Sequence, residues 1–62
     1  MIGENIKKLR IENKLSQKEL ANSLGVSNKT ISHWESGYSQ PPLEFIVKLK
    51  KLLNVCYEDI LE

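Results

Sequence analysis

At 62 residues, with 40% hydrophobic and 27% charged side chains, the chain is long enough for one small domain, predicted to span residues 1–62. Its single cysteine excludes an intramolecular disulfide, one cysteine with one histidine cannot form a structural zinc site, and the sequence predicts no cofactor. No apolar run reaches membrane-spanning length and no signal peptide opens the chain, so we expect a cytoplasmic protein without a membrane or small-molecule partner.

The first two predicted helices are defined by apolar spacing and by one capping motif. The first runs from about residue 3 to residue 13. Ser16, followed three residues later by Glu19, is a capping box, in which the serine side chain accepts from a first-turn amide and the glutamate reaches back. The inward residues of these helices are predicted to be Ile6, Leu9, Leu20, Ala21 and Leu24.

A tight glycine turn leads into the third predicted helix. Gly25 ends the second helix with a positive φ, Ser27 caps the third, and Gly37 stops it. Ile31 and Trp34 are expected to point inward. The outer face then carries Asn28, Lys29, Ser32, His33 and Ser36. Two short helices joined in this way predict a helix-turn-helix.

Two further helices complete the chain. Pro42 suits the first turn of the fourth helix, and Asn54 is a plausible left-handed residue at its end. The fifth helix is short, from Tyr57 to Leu61, and brings Ile60 or Leu61 onto the core; Cys56 before it is expected to be buried or at a boundary, to cap poorly and to carry no chemistry. The apolar stripe of the fourth helix is predicted to be Leu43, Ile46, Leu49 and Leu53. No segment alternates like a strand, so the predicted fold is all-α.

Five stretches in order resemble the phage repressor and Cro-type helix-turn-helix family, also called the xenobiotic-response-element family. They are Ile-Lys-Lys-Leu-Arg (6–10), Leu-Ser-Gln-Lys-Glu-Leu-Ala (15–21), Leu-Gly-Val-Ser (24–27), Thr-Ile-Ser-His-Trp-Glu-Ser-Gly (30–37) and Leu-Asn-Val-Cys-Tyr-Glu-Asp-Ile-Leu (53–61). The resemblance runs from about residue 3 to the end. It implies a compact five-helix, lambda-repressor-like domain that binds double-stranded DNA sequence-specifically as a transcriptional regulator, a repressor. The third helix, about residues 28–36, would enter the major groove.

The outward side chains of the third helix are the candidate base readers, because an α-helix fits the major groove and its first two turns reach base edges. Asn28 can pair bidentately with adenine, and Lys29 can donate to guanine O6 and N7. The resemblance also places Ser32 and His33 at base-reading positions. The alternative for all four residues is an ordinary solvated polar face.

A second set of residues is predicted to hold phosphates. Gln17 stands at the first position of the second helix, where free amides and the positive helix end favour an anion, and the resemblance implies that it bonds the DNA backbone. Ser27, Ser36, Tyr38 and Ser39 can add neutral donors. Capping and turn formation are the alternative for these four.

The resemblance also pairs Arg10 with Glu35, which would orient the third helix and neutralise a carboxylate that would otherwise repel DNA. It places Tyr57 at a dimer position, and Phe45, Val47 and Leu52 exceed what one apolar stripe can bury. The expected species is a homodimer, stable in solution or formed only on DNA, on a palindromic operator. The alternative is that these side chains complete a small core.

Two other function classes are an enzyme and a protein-interaction module. His33, Cys56 and the serines form no nucleophile and base set, so no enzyme is expected. A protein-interaction or antitoxin-type module that reuses the helix-turn-helix fold is favoured by the low net charge of +1. The polar outer face with Asn28 and Lys29 disfavours it.

Overall fold

Five α-helices make up the regular structure of the chain, whose computed structural model describes all 62 residues. They are α1 (Ile2–Glu12), α2 (Gln17–Leu24), α3 (Asn28–Ser36), α4 (Leu43–Leu53) and α5 (Tyr57–Leu61). The predicted all-α fold is confirmed, with the helix-turn-helix at α2 and α3. None of the helices combines the length and the apolar character needed to cross a membrane.

Local side-chain chemistry fixes the start of the helix-turn-helix as predicted. The Ser16 Oγ accepts from the Glu19 backbone N–H at 3.0 Å, and the Glu19 carboxylate accepts from the Ser16 N–H at 2.8 Å. Ser27 caps α3 in the same way, since its Oγ accepts from the Thr30 N–H at 3.1 Å. Gly25 ends α2 in the left-handed region at φ 75°. The bounds of α2 and the start of α3 are therefore set by short-range signals.

The end of α1 uses a less suitable residue. Lys14 has a φ of 59°, in the left-handed region that favours glycine or asparagine. Its N–H donates to the Ile11 carbonyl at 2.9 Å, and the Leu15 N–H donates to the Arg10 carbonyl at 3.1 Å. These two bonds satisfy the last carbonyls of α1 and reverse the chain toward α2. The corresponding left-handed residue after α4 is Asn54, as predicted, at φ 56°.

One hydrophobic core connects all five helices. The interpretation of Leu43 was wrong, because this side chain is 77% exposed and the buried residue of that segment is Pro41. Leu43 is the first residue of α4 and extends the apolar stripe past the edge of the core. For α5, Ile60 is buried and Leu61 is not. The core consists of Ile6, Leu9, Leu20, Ala21, Leu24, Ile31, Trp34, Ile46, Leu49, Leu53 and Ile60.

Close contact between α1 and the C-terminal end of α3 positions the third helix. Gly3 is buried at this contact, and a Cβ atom there would overlap the Trp34 carbonyl oxygen and lie 3.0 Å from that of Glu35. A side chain at residue 3 would therefore push the two helices apart. Asn5 adds a second tie from α1, since its Nδ2 donates to the Ile60 carbonyl of α5 at 2.8 Å.

Candidate nucleic-acid interface

The third helix has a buried side and a polar side, as the spacing predicted. Ile31 is fully buried and Trp34 is 3% exposed, so both anchor the helix in the core. The four predicted base readers lie on the other side, with the first two exposed and the last two half-buried: Asn28, Lys29, Ser32 and His33. The structure thus brings these four polar side chains together on one outward helix face.

Arg10 and Glu35 form the predicted ion pair, and it is bidentate. The Arg10 Nε donates to Glu35 Oε2 at 2.7 Å, and the Nη2 donates to Oε1 at 3.1 Å. The two side chains are only 11% and 4% exposed. The remaining Nη1 donates to the Leu15 carbonyl at 2.8 Å, so one guanidinium joins α1, the following turn and α3. Because Glu35 is paired with Arg10, Lys29 is the only lysine, arginine or carboxylate residue of α3 that has no ionic partner.

Gln17 is part of the same network, which the sequence did not reveal. Its Nε2 donates to Glu35 Oε1 at 3.0 Å, so the Glu35 carboxylate receives bonds from α1 and from α2. The side-chain amide nitrogen of a glutamine carries two hydrogens, and the bond to Glu35 uses one of them. Gln17 is half-exposed at the first position of α2, and its binding of a phosphate stays a prediction. The network joins three polar residues that are far apart in the sequence, Arg10, Gln17 and Glu35, and no rule based on local spacing detects such a set.

The remaining predicted phosphate ligands are exposed and also make local hydrogen bonds. Ser27 Oγ lies 2.9 Å from the Thr30 Oγ1 in addition to capping α3. Ser36 Oγ donates to the His33 carbonyl at 3.2 Å, and the Ser39 backbone N–H donates to the same carbonyl at 3.3 Å. Capping and turn formation, the alternative for these serines, is therefore observed. A role in binding phosphate stays a prediction.

Tyr38 contacts the polar face of α3 from the loop that follows it. Its ring centroid lies 4.6 Å from that of His33, with the ring planes inclined at 44°. Tyr38 is nevertheless 79% exposed, so most of its ring and its hydroxyl face solvent. Both residues were predicted to lie near DNA, but their contact with each other was not predicted.

The helix-turn-helix family model matches residues 6–60 of this chain. The chain belongs to the helix-turn-helix family. It is similar to the antitoxin PezA of Streptococcus pneumoniae, with 42% identity over 60 residues that cover 97% of this chain and 38% of that protein. It is also similar to the cryptic phage CTXphi transcriptional repressor RstR of Vibrio cholerae, with 40% identity over 55 residues that cover 89% and 50% of the two chains. The chain thus spans half or less of the length of these curated relatives.

Among solved structures, this helix-turn-helix chain matches SinR, the master regulator for biofilm formation, whose crystal structure was determined in complex with DNA. The TM-score is 0.89 and the identity 33%, and the match covers 100% of both chains. The predicted resemblance to repressor-type helix-turn-helix proteins is therefore confirmed across the whole described fold.

The predicted dimer residues of this helix-turn-helix chain lie on two helices: α4 carries Phe45, Val47 and Leu52, and α5 begins with Tyr57. Phe45 is half-buried, with its ring centroid 5.4 Å from that of Trp34 and the Lys48 Nζ 5.0 Å above it. Tyr57 is 38% exposed and lies beside Lys50, whose Nζ is 5.3 Å from the ring centroid. Because a helix turns about 100° per residue, Phe45 and Leu52 share one flank, and Val47 with Lys50 lies on the other. Phe45 thus has an aromatic partner inside the chain, and the dimer contact stays a prediction.

The expected burial of Cys56 was wrong, because its side chain is exposed. The start of α5 uses a carboxylate, since Asp59 Oδ2 accepts from the Cys56 backbone N–H at 2.9 Å. The backbone group of Cys56 therefore has a partner that does not depend on the thiol.

Proposed function

We propose that the chain binds double-stranded DNA sequence-specifically as a transcriptional regulator, a repressor, with α3 in the major groove. The observation that carries this proposal is the arrangement of α3. Trp34 and Glu35 fix its inner side to the rest of the fold, while its outer side presents uncharged polar groups and one free lysine. A helix held from behind in this way can place side chains at fixed positions against base edges. The DNA complex of SinR and the repressor RstR support this reading.

Each side chain of the proposed interface has a separate role. Asn28 accepts from and donates to an adenine edge, and Lys29 donates to guanine, while Ser32 and His33 reach the neighbouring bases. Gln17 holds a phosphate with its second Nε2 hydrogen, next to the free amides at the start of α2. Phosphate bonds fix the register of the protein on the duplex and base bonds select the sequence.

Substitution of Lys29 and of Gln17 tests this division of roles. Lys29→Ala should cost about 1–3 kcal/mol of binding free energy on the preferred site and relax selection at one base pair. Gln17→Ala should weaken binding to all sequences alike, because a phosphate is the same at every position. The measurement is a salt-dependent gel shift on a site selected from a random library. Lys18→Ala, at an exposed lysine next to Gln17 on α2, is the control.

Two results would contradict the proposed role of Lys29. If Lys29→Ala lost the same free energy on the selected site and on random DNA, Lys29 would be a general cation and not a base reader. If Lys18→Ala lost as much binding free energy as Lys29→Ala on the selected site and on random DNA, the loss would come from the lower net charge of the protein.

We also propose that two copies bind together on a palindromic site, either as a dimer in solution or only on DNA. One copy has few base readers and a net charge of +1, which gives little discrimination among genomic sites. Tyr57, with Leu61 one helical turn further, offers partly exposed apolar surface on α5 for the second copy. Residues 1–62 act in this proposal as one DNA-binding module.

The similarity to the antitoxin PezA favours a second candidate, a protein-interaction or antitoxin-type module. The same gel shift separates the two functions. DNA binding requires affinity that falls steeply with salt and a selected sequence, whereas a chain that only binds another protein gives neither.

A further inference from the structure

The loop after α3 folds back onto the helix it follows. Gly37 has a φ of 83°, which reverses the chain. The Ser39 N–H and the Ser36 hydroxyl both donate to the His33 carbonyl, at 3.3 and 3.2 Å, and the Tyr38 N–H donates to the Ser36 Oγ at 3.4 Å. These three bonds bring the loop against the last turn of α3. They place the Tyr38 ring beside the His33 imidazole, at a centroid distance of 4.6 Å.

We propose that Tyr38 is a positioning residue for His33, so that the two rings read one base pair as a unit. This inference rests on the proposed function. An outward histidine on a helix samples several rotamers, and only some of them aim the imidazole at a base edge. A ring packed against one side of the imidazole removes some of these rotamers before DNA arrives. The side-chain entropy that His33 loses on binding DNA is thereby reduced.

The exposure of the two rings distinguishes this role from a phosphate bond. His33 is half-buried and Tyr38 is 79% exposed, and the contact between them is one of ring against ring, with 4.6 Å between the centroids. Positioning therefore needs the aromatic ring of Tyr38 and not its oxygen. A phosphate ligand would need the oxygen.

The experiment selects DNA sites from a random library with the full 62-residue chain and four variants. His33→Ala should lose preference at one base pair. Tyr38→Leu should lose preference at the same base pair and bind the wild-type site about 2- to 10-fold more weakly. Tyr38→Phe, the matched control, should retain both the preference and the affinity. The double variant His33→Ala/Tyr38→Leu should bind no more weakly than His33→Ala alone.

A second measurement needs no DNA. The ring protons of His33 in the free protein should shift in the NMR spectrum on Tyr38→Leu and stay in place on Tyr38→Phe. Thermal melting of each variant shows that it is folded at the assay temperature.

Several results would overturn the inference. These are additive losses for His33→Ala and Tyr38→Leu, an unchanged His33 spectrum on Tyr38→Leu, or equal losses for Tyr38→Phe and Tyr38→Leu on all sequences. A wild-type chain that selects no sequence would overturn the proposed function itself, and the pairing of these rings for base reading with it.

Discussion

At the scale of single residues, Lys14 carries an avoidable conformational cost. Its φ of 59° is unfavourable for a lysine, and glycine adopts it freely. Lys14→Gly should therefore raise the free energy of unfolding by about 0.5–1 kcal/mol, since relief of the left-handed strain outweighs the greater entropy of glycine in the unfolded chain. Chemical denaturation measures the change.

The control for this substitution is Lys8→Gly, at an exposed position in the interior of α1. It should lower the free energy of unfolding by about 1 kcal/mol, because glycine is a poor residue in a helix interior. Equal destabilisation by the two glycine substitutions would show that the backbone at residue 14 is not strained.

Residues whose roles depend on near neighbours in the chain were predictable. Ser16 with Glu19, and the two glycines that end α2 and α3, act within one helical turn, so their residue types alone reveal them. Gly3 is different. Its lack of a side chain matters because α3, more than thirty residues later, passes within contact distance, and nothing near residue 3 in the sequence records this.

Two further differences between the predictions and the structure also arise from packing between distant parts of the chain. Gln17 and Glu35 are 18 residues apart, so their hydrogen bond follows from the packing of α2 on α3 and not from any local pattern. Leu43 has the right spacing for a core residue, but spacing does not say where along α4 the core ends. The pairing of Arg10 with Glu35 was predictable only because the resemblance supplied it, and the bond from Arg10 to the Leu15 carbonyl was not predicted.

At the scale of elements, the bond between Arg10 and Glu35 holds α1 and α3 together across the core edge. Removing either partner leaves the other charge nearly buried and poorly compensated, which costs about 3–5 kcal/mol in comparable pairs. Arg10→Met and Glu35→Leu should each reduce thermal stability strongly. The double variant should recover part of the loss, because no unpaired charge remains.

A double-mutant cycle of thermal melts measures this coupling. Glu12→Leu, at an exposed carboxylate of the same helix, is the control and should change stability little. Unchanged melting and unchanged DNA binding for Arg10→Met would show that the pair has no role in placing α3.

The capping box at the start of α2 makes stability depend on acidity. The backbone N–H of Ser16, and then its side chain, stabilise the Glu19 carboxylate and hold the pKa of Glu19 below its ordinary value. A group whose pKa is depressed by folding binds its proton more readily in the unfolded chain. Its contribution to stability is therefore complete above the unfolded pKa and disappears as the pH falls through the folded one.

Glu19→Gln should accordingly flatten the loss of stability on acidification through this range, since the glutamine does not titrate. Denaturation midpoints measured from neutral pH down to the acidic limit test this. A Glu19→Gln profile that matches the wild type would contradict the assignment.

At the scale of the whole molecule, the proposed pair of copies predicts the shape of the footprint on DNA. Two copies related by a two-fold axis should protect two major grooves on one face of the duplex, about one helical turn apart. Tyr57→Ala should reduce the cooperative filling of the two half-sites, because it removes partly exposed apolar surface on α5. Quantitative footprinting measures both effects.

Leu43→Ala is the matched control, since Leu43 is 77% exposed and apolar but does not belong to the proposed contact. It should leave the cooperativity unchanged. A single protected half-site that is bound as tightly as the full palindrome would exclude the paired arrangement.

The anchoring residues and the proposed base readers lie on opposite sides of α3, which has a consequence for how new DNA specificities arise. The residues that hold this helix, Trp34 and Glu35 among them, face inward, and the four polar positions that would meet bases face outward. Exchanging the two exposed side chains, Asn28 and Lys29, leaves the anchoring contacts intact, and surface substitutions of this kind usually alter stability by less than about 0.5 kcal/mol. Such a fold tolerates changes of DNA specificity, because substitutions on the outer side of α3, in evolution or by design, can change the operator that is bound while the chain still folds.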